Sequence, residues 1–185
     1  SISLDGATRL TNNRIRGKGS FDKCIEGIRK TVAKGFNTSL IYTVSRANIH
    51  ELEQMPPLVT DLGIDRFFIQ VIGIRGKMAN RKKKDIQVAR SQWLKIIPAV
   101  ARKIARAGVS VTYPRVFLKP DEPFECAGRV AENFFIFPNG RVYQCPLCED
   151  YPVNAYRIED DKLIKNEGIL EDTLFTLDIP EGCVI

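Results

Sequence analysis

No apolar run in this chain approaches the roughly 20 residues needed to span a bilayer, so no membrane role is expected. No secretory signal is readable, which makes the cytoplasm the expected compartment. Five cysteines in 185 residues are too few and too clustered for a disulfide scaffold. Histidine is nearly absent. His50, the only one, lies near a predicted helix start and is expected at the surface, so any metal site should be all sulfur. No internal repeat is visible. Gly17-Lys-Gly-Ser20 lacks the G-x-x-x-x-G-K-[ST] order, which excludes a phosphate loop there.

What is present describes a folded chain. With 44% hydrophobic and 27% charged residues, it can bury a core and is not disordered. The length fits one large domain, or a medium and a small one. Net charge is +6, with much of the excess in Arg75-Gly-Lys-Met-Ala-Asn-Arg-Lys-Lys-Lys84. Such a loop can meet phosphates or acidic peptides. No interleaved aromatics offer stacking for bases, so the loop is expected to be a solvated connection and nucleic acid is not an expected partner. The chain opens at Ser1-Ile-Ser-Leu-Asp5 with apolar alternation already running, as expected of a fragment that begins inside a strand.

Up to residue 118 the pattern alternates strand and helix. Residues 1–4 read as a strand, and Asp5 to Gly19 as a long polar loop. A helix from Phe21 to about Lys34, capped by Ser20, presents Phe21, Cys24, Ile25, Ile28 and Val32 on one face. Cys24 is therefore expected to pack. Thr38–Val44 reads as a strand. Asn48 and Glu51 have capping-box spacing for a helix through Leu52, Met55, Val59 and Leu62, which Pro56-Pro57 should kink or split. Arg66–Ile74 reads as a strand buried on both faces. Trp93, Leu94, Ile97, Val100, Ala101 and Ile104 mark a helix with a kink at Pro98, followed by a strand over Val109–Tyr113. Such alternation predicts an α/β fold with a parallel sheet. Ligands of such sheets sit at the carboxyl ends of the strands, here Ser3–Asp5, Val44–Arg46, Ile72–Arg75 and Tyr113–Arg115.

At Lys119-Pro-Asp-Glu-Pro123 the texture changes, setting a boundary between residues 1–118 and 119–185. Asn133–Phe137 and Arg141–Gln144 flank Asn139-Gly140, a two-residue hairpin signal that would set Cys145 across from Phe134. Ala155–Glu159 and Lys162–Lys165 form a weaker hairpin pattern. Four of the five cysteines fall in this region: Cys126, Cys145, Cys148 and Cys183. Cys145-Pro-Leu-Cys148 is a knuckle able to place two sulfurs on one centre. Four convergent thiolates suit zinc or an iron–sulfur cluster, and spacing alone does not separate the two.

Two separated stretches share one resemblance. Ser1-Ile-Ser-Leu-Asp-Gly6, Arg14-Ile-Arg-Gly17 and Gly19-Ser-Phe-Asp22 resemble the middle of radical S-adenosylmethionine enzymes. The Cys126-x13-Gly140-x4-Cys145 spacing resembles the auxiliary-cluster domain called SPASM, or twitch in its shorter form. The resemblance implies a partial parallel (βα) barrel, truncated in its N-terminal half, followed by a small hairpin-rich cysteine-cluster domain. It implies S-adenosylmethionine at the strand ends, beside Ser3 and Asp5. Arg16 would approach its carboxylate, and Gln70 and Ile72 would border the adenine. An auxiliary [4Fe–4S] cluster, for which zinc is a substitute, would take Cys126, Cys145, Cys148 and Cys183. The family's reaction is reductive cleavage of S-adenosylmethionine, followed by hydrogen abstraction from a substrate, here expected to be a peptide or protein.

Departures from the family qualify this. No C-x3-C-x2-C motif for the radical-generating cluster occurs in these 185 residues, so the chain alone is expected to be inactive although its parent would be an oxidoreductase or maturase. The second run of SPASM cysteines is absent, which favours the twitch-like form. A truncated barrel would also expose a strand edge open to self-association. The rival expectation is a non-enzymatic, zinc-stapled module that binds nucleic acid or protein through its basic surface.

Overall fold

The computed structural model describes residues 1–73, 86–114, 116–117, 134–145, 148–149 and 151–169. The basic loop, the Pro-rich linker, Cys126 and Cys183 lie outside the described residues. The chain divides into two compact units, Ser1–Phe117 and Leu118–Ile185.

The first unit is built on a four-stranded parallel sheet in sequential order β1-β2-β3-β4. Its strands are β1 (Ile2–Ser3), β2 (Ser39–Val44), β3 (Arg66–Val71) and β4 (Ser110–Thr112). The connections carry α1 (Arg9–Arg16), α2 (Ser20–Ala33), a 3₁₀ helix (Ile49–Gln54), α3 (Met55–Asp61) and α4 (Arg90–Arg106). Parallel crossovers are right-handed, so a sheet whose strand order never reverses collects its crossover helices on one face.

Burial follows that rule. Leu40, Tyr42, Val44, Phe67 and Ile69 point into the helices and join Ile28, Leu52, Met55, Val59, Trp93, Ile97 and Ile104 in one core. The alternate residues Ile41, Thr43, Phe68 and Gln70 face the other way, and Phe68 is 40% exposed. The expectation that β3 is buried on both faces is thus corrected: its pattern alternates strictly, because only one side of the sheet carries helices.

One other expectation changes. Residues 9–16, read as loop, form α1. Its sequence, RLTNNRIR, has no apolar stripe; what holds it is a set of polar contacts described below. The Asn48 helix does split, into a 3₁₀ turn and α3, with the prolines in the first turn of α3, where their missing N–H groups cost nothing. At Pro98 α4 runs on without interruption. Burying Trp93, Ile97, Val100 and Ile104 contributes roughly 6–12 kcal/mol at 1.5–3 each, against the roughly 3 kcal/mol that an interior proline costs.

The second unit is an antiparallel meander, β5 (Phe135–Ile136), β6 (Arg141–Tyr143), β7 (Tyr156–Glu159) and β8 (Lys162–Lys165), in that order. Its first turn differs from the sequence expectation. Phe135 pairs with Tyr143 and Ile136 with Val142, so the loop holds three residues, Pro138-Asn139-Gly140, and the register shifts by one. In this register Phe134 falls opposite Gln144 rather than Cys145. Proline explains the shift. In a two-residue turn, Pro138 would have to donate an N–H to Arg141, and it has none. Phe137 makes that bond instead, its N–H donating to the Arg141 carbonyl at 3.0 Å. Gly140 closes the turn at φ +77°. The second hairpin is as read: Glu159 pairs with Lys162 across Asp160-Asp161, both at positive φ, as a type I′ turn needs.

Candidate functional site

At the carboxyl end of β1 and β2 the backbone stops pairing and side chains take over. Asp5 continues the β1 register to lie beside Thr43. Its Oδ1 accepts the Thr43 N–H at 2.8 Å, and its Oδ2 accepts Arg16 Nε–H at 2.6 Å. Asp5 is 5% exposed, while the Arg16 side chain is 35% exposed. A buried carboxylate therefore holds the guanidinium by its Nε, on a side chain that is only partly buried. Among the described residues, no further protein partner takes the terminal nitrogens of Arg16.

Two buried amides complete the frame. Asn12, on α1, accepts the Asp5 N–H through Oδ1 at 2.9 Å and donates from Nδ2 to Ser20 Oγ at 3.0 Å. Asn48 is fully buried. Its Nδ2 donates to the Asp5 carbonyl at 3.0 Å and the Thr43 carbonyl at 2.9 Å, and its Oδ1 accepts the Ser45 N–H at 2.8 Å. Every donor and acceptor of that amide is used within the strand ends. Asn48 is thus no helix cap; it ties the last turn of β2 to β1.

Glu51 is diverted in the same way. Rather than reaching back to Asn48, its carboxylate accepts from the Thr8 N–H at 3.1 Å, the Thr8 hydroxyl at 2.7 Å and the Thr11 hydroxyl at 2.6 Å. Burial pushes its carboxyl up, but the hydrogen bonds from Thr11 and Thr8 outweigh that and hold it below the ordinary glutamate range. Gly6 lets α1 come this close: a Cβ there would lie 2.5 Å from the Asn12 backbone nitrogen. Beneath the frame, the Tyr42 hydroxyl donates to the Asn48 carbonyl at 2.9 Å. Its pKa is pushed up by burial, then by the charges of Glu51 and Asp5.

Asp5, Thr43 and Gln70 form one cross-strand row on the helix-free face of the sheet, with Thr43 and Gln70 in direct register. Adjacent strands stand about 4.8 Å apart, so Asp5 and Gln70 flank Thr43 across about 10 Å. Ser3 sits in the next row back, with Ile41, Phe68 and Thr112. Ile72 follows β3; its N–H donates to the Val44 carbonyl at 3.3 Å and its carbonyl accepts from Gln87 Nε2 at 3.2 Å. His50 is exposed, and Cys24 packs at the edge of the core with its thiol 3.4 Å from the Ser3 carbonyl.

In the second unit, the Cys148 N–H donates to the Cys145 carbonyl at 3.2 Å. Such a turn keeps the two Cα atoms within about 7 Å. Cys148 is buried with Tyr143 and Val153, and Cys145 packs at the edge of that small core. The Tyr143 hydroxyl lies 3.1 Å from the carbonyls of both Glu149 and Tyr151, fixing the segment around the cysteines. Among the described residues, no group of three or more His, Cys, Asp or Glu side chains is placed to hold a metal. The two described thiols fit half of an all-sulfur donor set.

Sequence reasoning missed Asn12, Thr43 and the true partners of Asn48 and Glu51. The signal available for α1 was Thr8, whose hydroxyl accepts the Thr11 N–H at 3.3 Å as an N-cap. Without an apolar stripe behind it, that threonine had nothing to cap.

No family model matches the chain. It is 27% identical over 157 residues to the PqqA peptide cyclase of Gluconobacter oxydans (strain 621H), a match covering 84% of this chain and 44% of that protein. A stretch of 63 residues is 36% identical to the mycofactocin maturase MftC of Mycobacterium tuberculosis, covering 34% of this chain and 16% of the maturase. The crystal structure of Streptococcus suis SuiB bound to S-adenosylmethionine superposes with a TM-score of 0.62 over 96% of this chain and 42% of that one, at 13% identity. These relatives are members of the radical S-adenosylmethionine superfamily, the family that the sequence resembles. The SuiB likeness shows the mixed α/β fold with its parallel sheet. The chain spans less than half the length of the relatives it matches. Among the described residues, no helix is long and apolar enough to cross a membrane.

Proposed function

We propose that this chain is the part of a peptide-modifying radical S-adenosylmethionine enzyme that flanks the cofactor, joined to an auxiliary iron–sulfur module. One observation carries the reading: the Asp5–Arg16 pair at the carboxyl end of a parallel sheet whose helix-free face presents Thr43 and Gln70 beside it. A guanidinium held by its Nε edge, with no described protein partner on its terminal nitrogens, suits a ligand carboxylate. S-adenosylmethionine has one at its methionine end. Both Asp5 oxygens are engaged within the protein, so in this reading Asp5 orients Arg16 while Ser3, Gln70 and Ile72 border the rest of the cofactor. Sequential strand order and one-sided helices support a portion of a (βα) barrel. The relatives' names, a peptide cyclase and a maturase, support a peptide substrate.

Cys145 and Cys148, with Cys126 and Cys183, would hold the auxiliary cluster. Such a cluster supplies a redox centre or an iron open to a substrate ligand. The chain's own part is the turn that pairs two thiols and the buried Tyr143 that fixes it. The radical-generating cluster would come from sequence beyond these 185 residues.

Calorimetric titration with S-adenosylhomocysteine tests the site. Binding should be measurable in the chain and weaken at least about tenfold in Arg16→Ala, the size expected for loss of one charge-assisted contact. Equal affinity in the two proteins would overturn the assignment.

A further inference from the structure

We propose that Glu51 is a positioning residue: it serves, from a distant part of the chain, as the negative charge that α1 lacks at its own N-terminus, and so sets where Arg16 points. The step from α1 to cofactor rests on the function proposed above; the step from Glu51 to α1 does not.

α1 is eight residues long and polar, and its first turn contains no acidic residue. An isolated helix of that length is unstable in water. Its N-terminal amides carry partial positive charge that a carboxylate would stabilise. Glu51 supplies it, 40 residues later in sequence. The carboxylate accepts from the Thr8 and Thr11 hydroxyls and from the Thr8 N–H, at 2.6–3.1 Å. The Thr8 hydroxyl must donate to Glu51, which turns its lone pair toward the Thr11 N–H it caps. Carboxylate, hydroxyl and helix amide thus form one directed chain. Glu51 is 6% exposed, and the donors to its carboxylate described above belong to Thr8 and Thr11 rather than to its own 3₁₀ helix.

At the other end of α1 stands Arg16. Its position follows from where the helix starts and from Asn12, midway along, on the Asp5 N–H. If Glu51 loses its charge, the cap loosens, the short helix frays, and the guanidinium is no longer delivered to Asp5.

The 185-residue chain, labelled with ¹⁵N, provides the readout. In wild type the Arg16 Nε–H should give a slowly exchanging side-chain signal, because it is bonded to a buried carboxylate. Glu51→Gln keeps the shape but offers one acceptor oxygen instead of two. The Arg16 Nε–H and α1 amides should then exchange about tenfold faster or more, the loss expected for an N-cap, while core amides of β2 and β3 keep their protection. Glu51→Gln combined with Thr8→Asp returns a negative charge to the same helix end and should restore the Arg16 signal. A lost packing contact would not be restored by that second change. An unchanged Arg16 signal in Glu51→Gln, or failure of the double variant to recover it, overturns the proposal. Titration with S-adenosylhomocysteine separates the two readings. If wild type does not bind it while the Arg16 signals behave as described, the cofactor assignment falls and the positioning role stands.

Discussion

Removing the Asn48 side chain should be the most damaging single truncation of a polar residue in the first unit. The amide is fully buried and joins three backbone groups: the carbonyls of Asp5 and Thr43 and the Ser45 N–H. In Asn48→Ala the cavity is small, but these groups lose a partner in a place water does not reach. A buried polar group left unsatisfied costs roughly 1–3 kcal/mol. With partial relaxation of the strand ends, a loss of about 3–5 kcal/mol is expected, a large share of the roughly 5–15 kcal/mol available to a domain. The assay is urea unfolding followed by tryptophan fluorescence. Trp93 is the only tryptophan in the chain and is 3% exposed in the core of the first unit, so its emission reports that unit alone. Asn48→Asp makes the argument sharper. It retains an acceptor for Ser45 but turns a carboxylate oxygen on two carbonyls. At neutral pH it should be at least as unstable as Asn48→Ala. A loss below about 1 kcal/mol in Asn48→Ala, less than one unsatisfied group costs, would refute the accounting.

Gly140→Ala should destabilise the second unit by about 2 kcal/mol, because φ is +77° and a Cβ would lie 2.9 Å from the Ile158 carbonyl oxygen; faster exchange of the Ile158 amide, which donates to the Gly140 carbonyl at 2.8 Å, would show it. Glu51 has a folded pKa below its unfolded value of about 4.3, so its contribution is complete above that pH and is lost as pH falls through the folded value; stability of Glu51→Gln should therefore decline less steeply on acidification than wild type. Anaerobic reconstitution should load about four irons per chain, as one [4Fe–4S] cluster, and Cys148→Ser should lose most of them; full iron in the variant would remove Cys148 from the ligand set. Incubated with S-adenosylmethionine and a reductant, the reconstituted chain should yield no 5′-deoxyadenosine, and its appearance would refute the need for a C-x3-C-x2-C cluster from elsewhere.

The parts of the fold legible in the sequence were those driven by apolar burial. The α2 stripe through Ile28, the β2 alternation and the α4 stripe from Trp93 to Ile104 each repeat at the period of their element, and each faces the core. Asp160-Asp161 likewise announced its turn through residues that accept positive φ. What stayed hidden was driven by polar groups acting at long range. α1 lacks an apolar period, and its contacts to the rest of the fold are polar ones through Thr8, Thr11 and Asn12. The Asn48–Glu51 spacing matched a capping box, yet the Glu51 carboxylate is taken by groups 40 and 43 residues away in sequence and Asn48 is shared between Asp5, 43 residues away, and the end of β2, and no local rule sees such competition. Pro138 had its signal in plain view: an imide nitrogen beside Asn139-Gly140 that forbids the two-residue turn.

The same division explains why the candidate site lies where it does. A parallel sheet normally hides both faces; among the described residues, helices cover one face of this one, and Phe68, Gln70 and Thr112 on the other are exposed. Strand ends on the helix-free side need polar contacts of their own to be rigid. Asp5, Asn12, Asn48 and Glu51 provide that rigidity, tying β1, β2 and α1 together through bonds that consume nearly all of their own polar atoms. Arg16 is the exception: among the described residues only its Nε is engaged. A network spent entirely on the scaffold would make a stable strand end and nothing more. In the function proposed here, the Arg16 guanidinium is the group left to meet a ligand carboxylate.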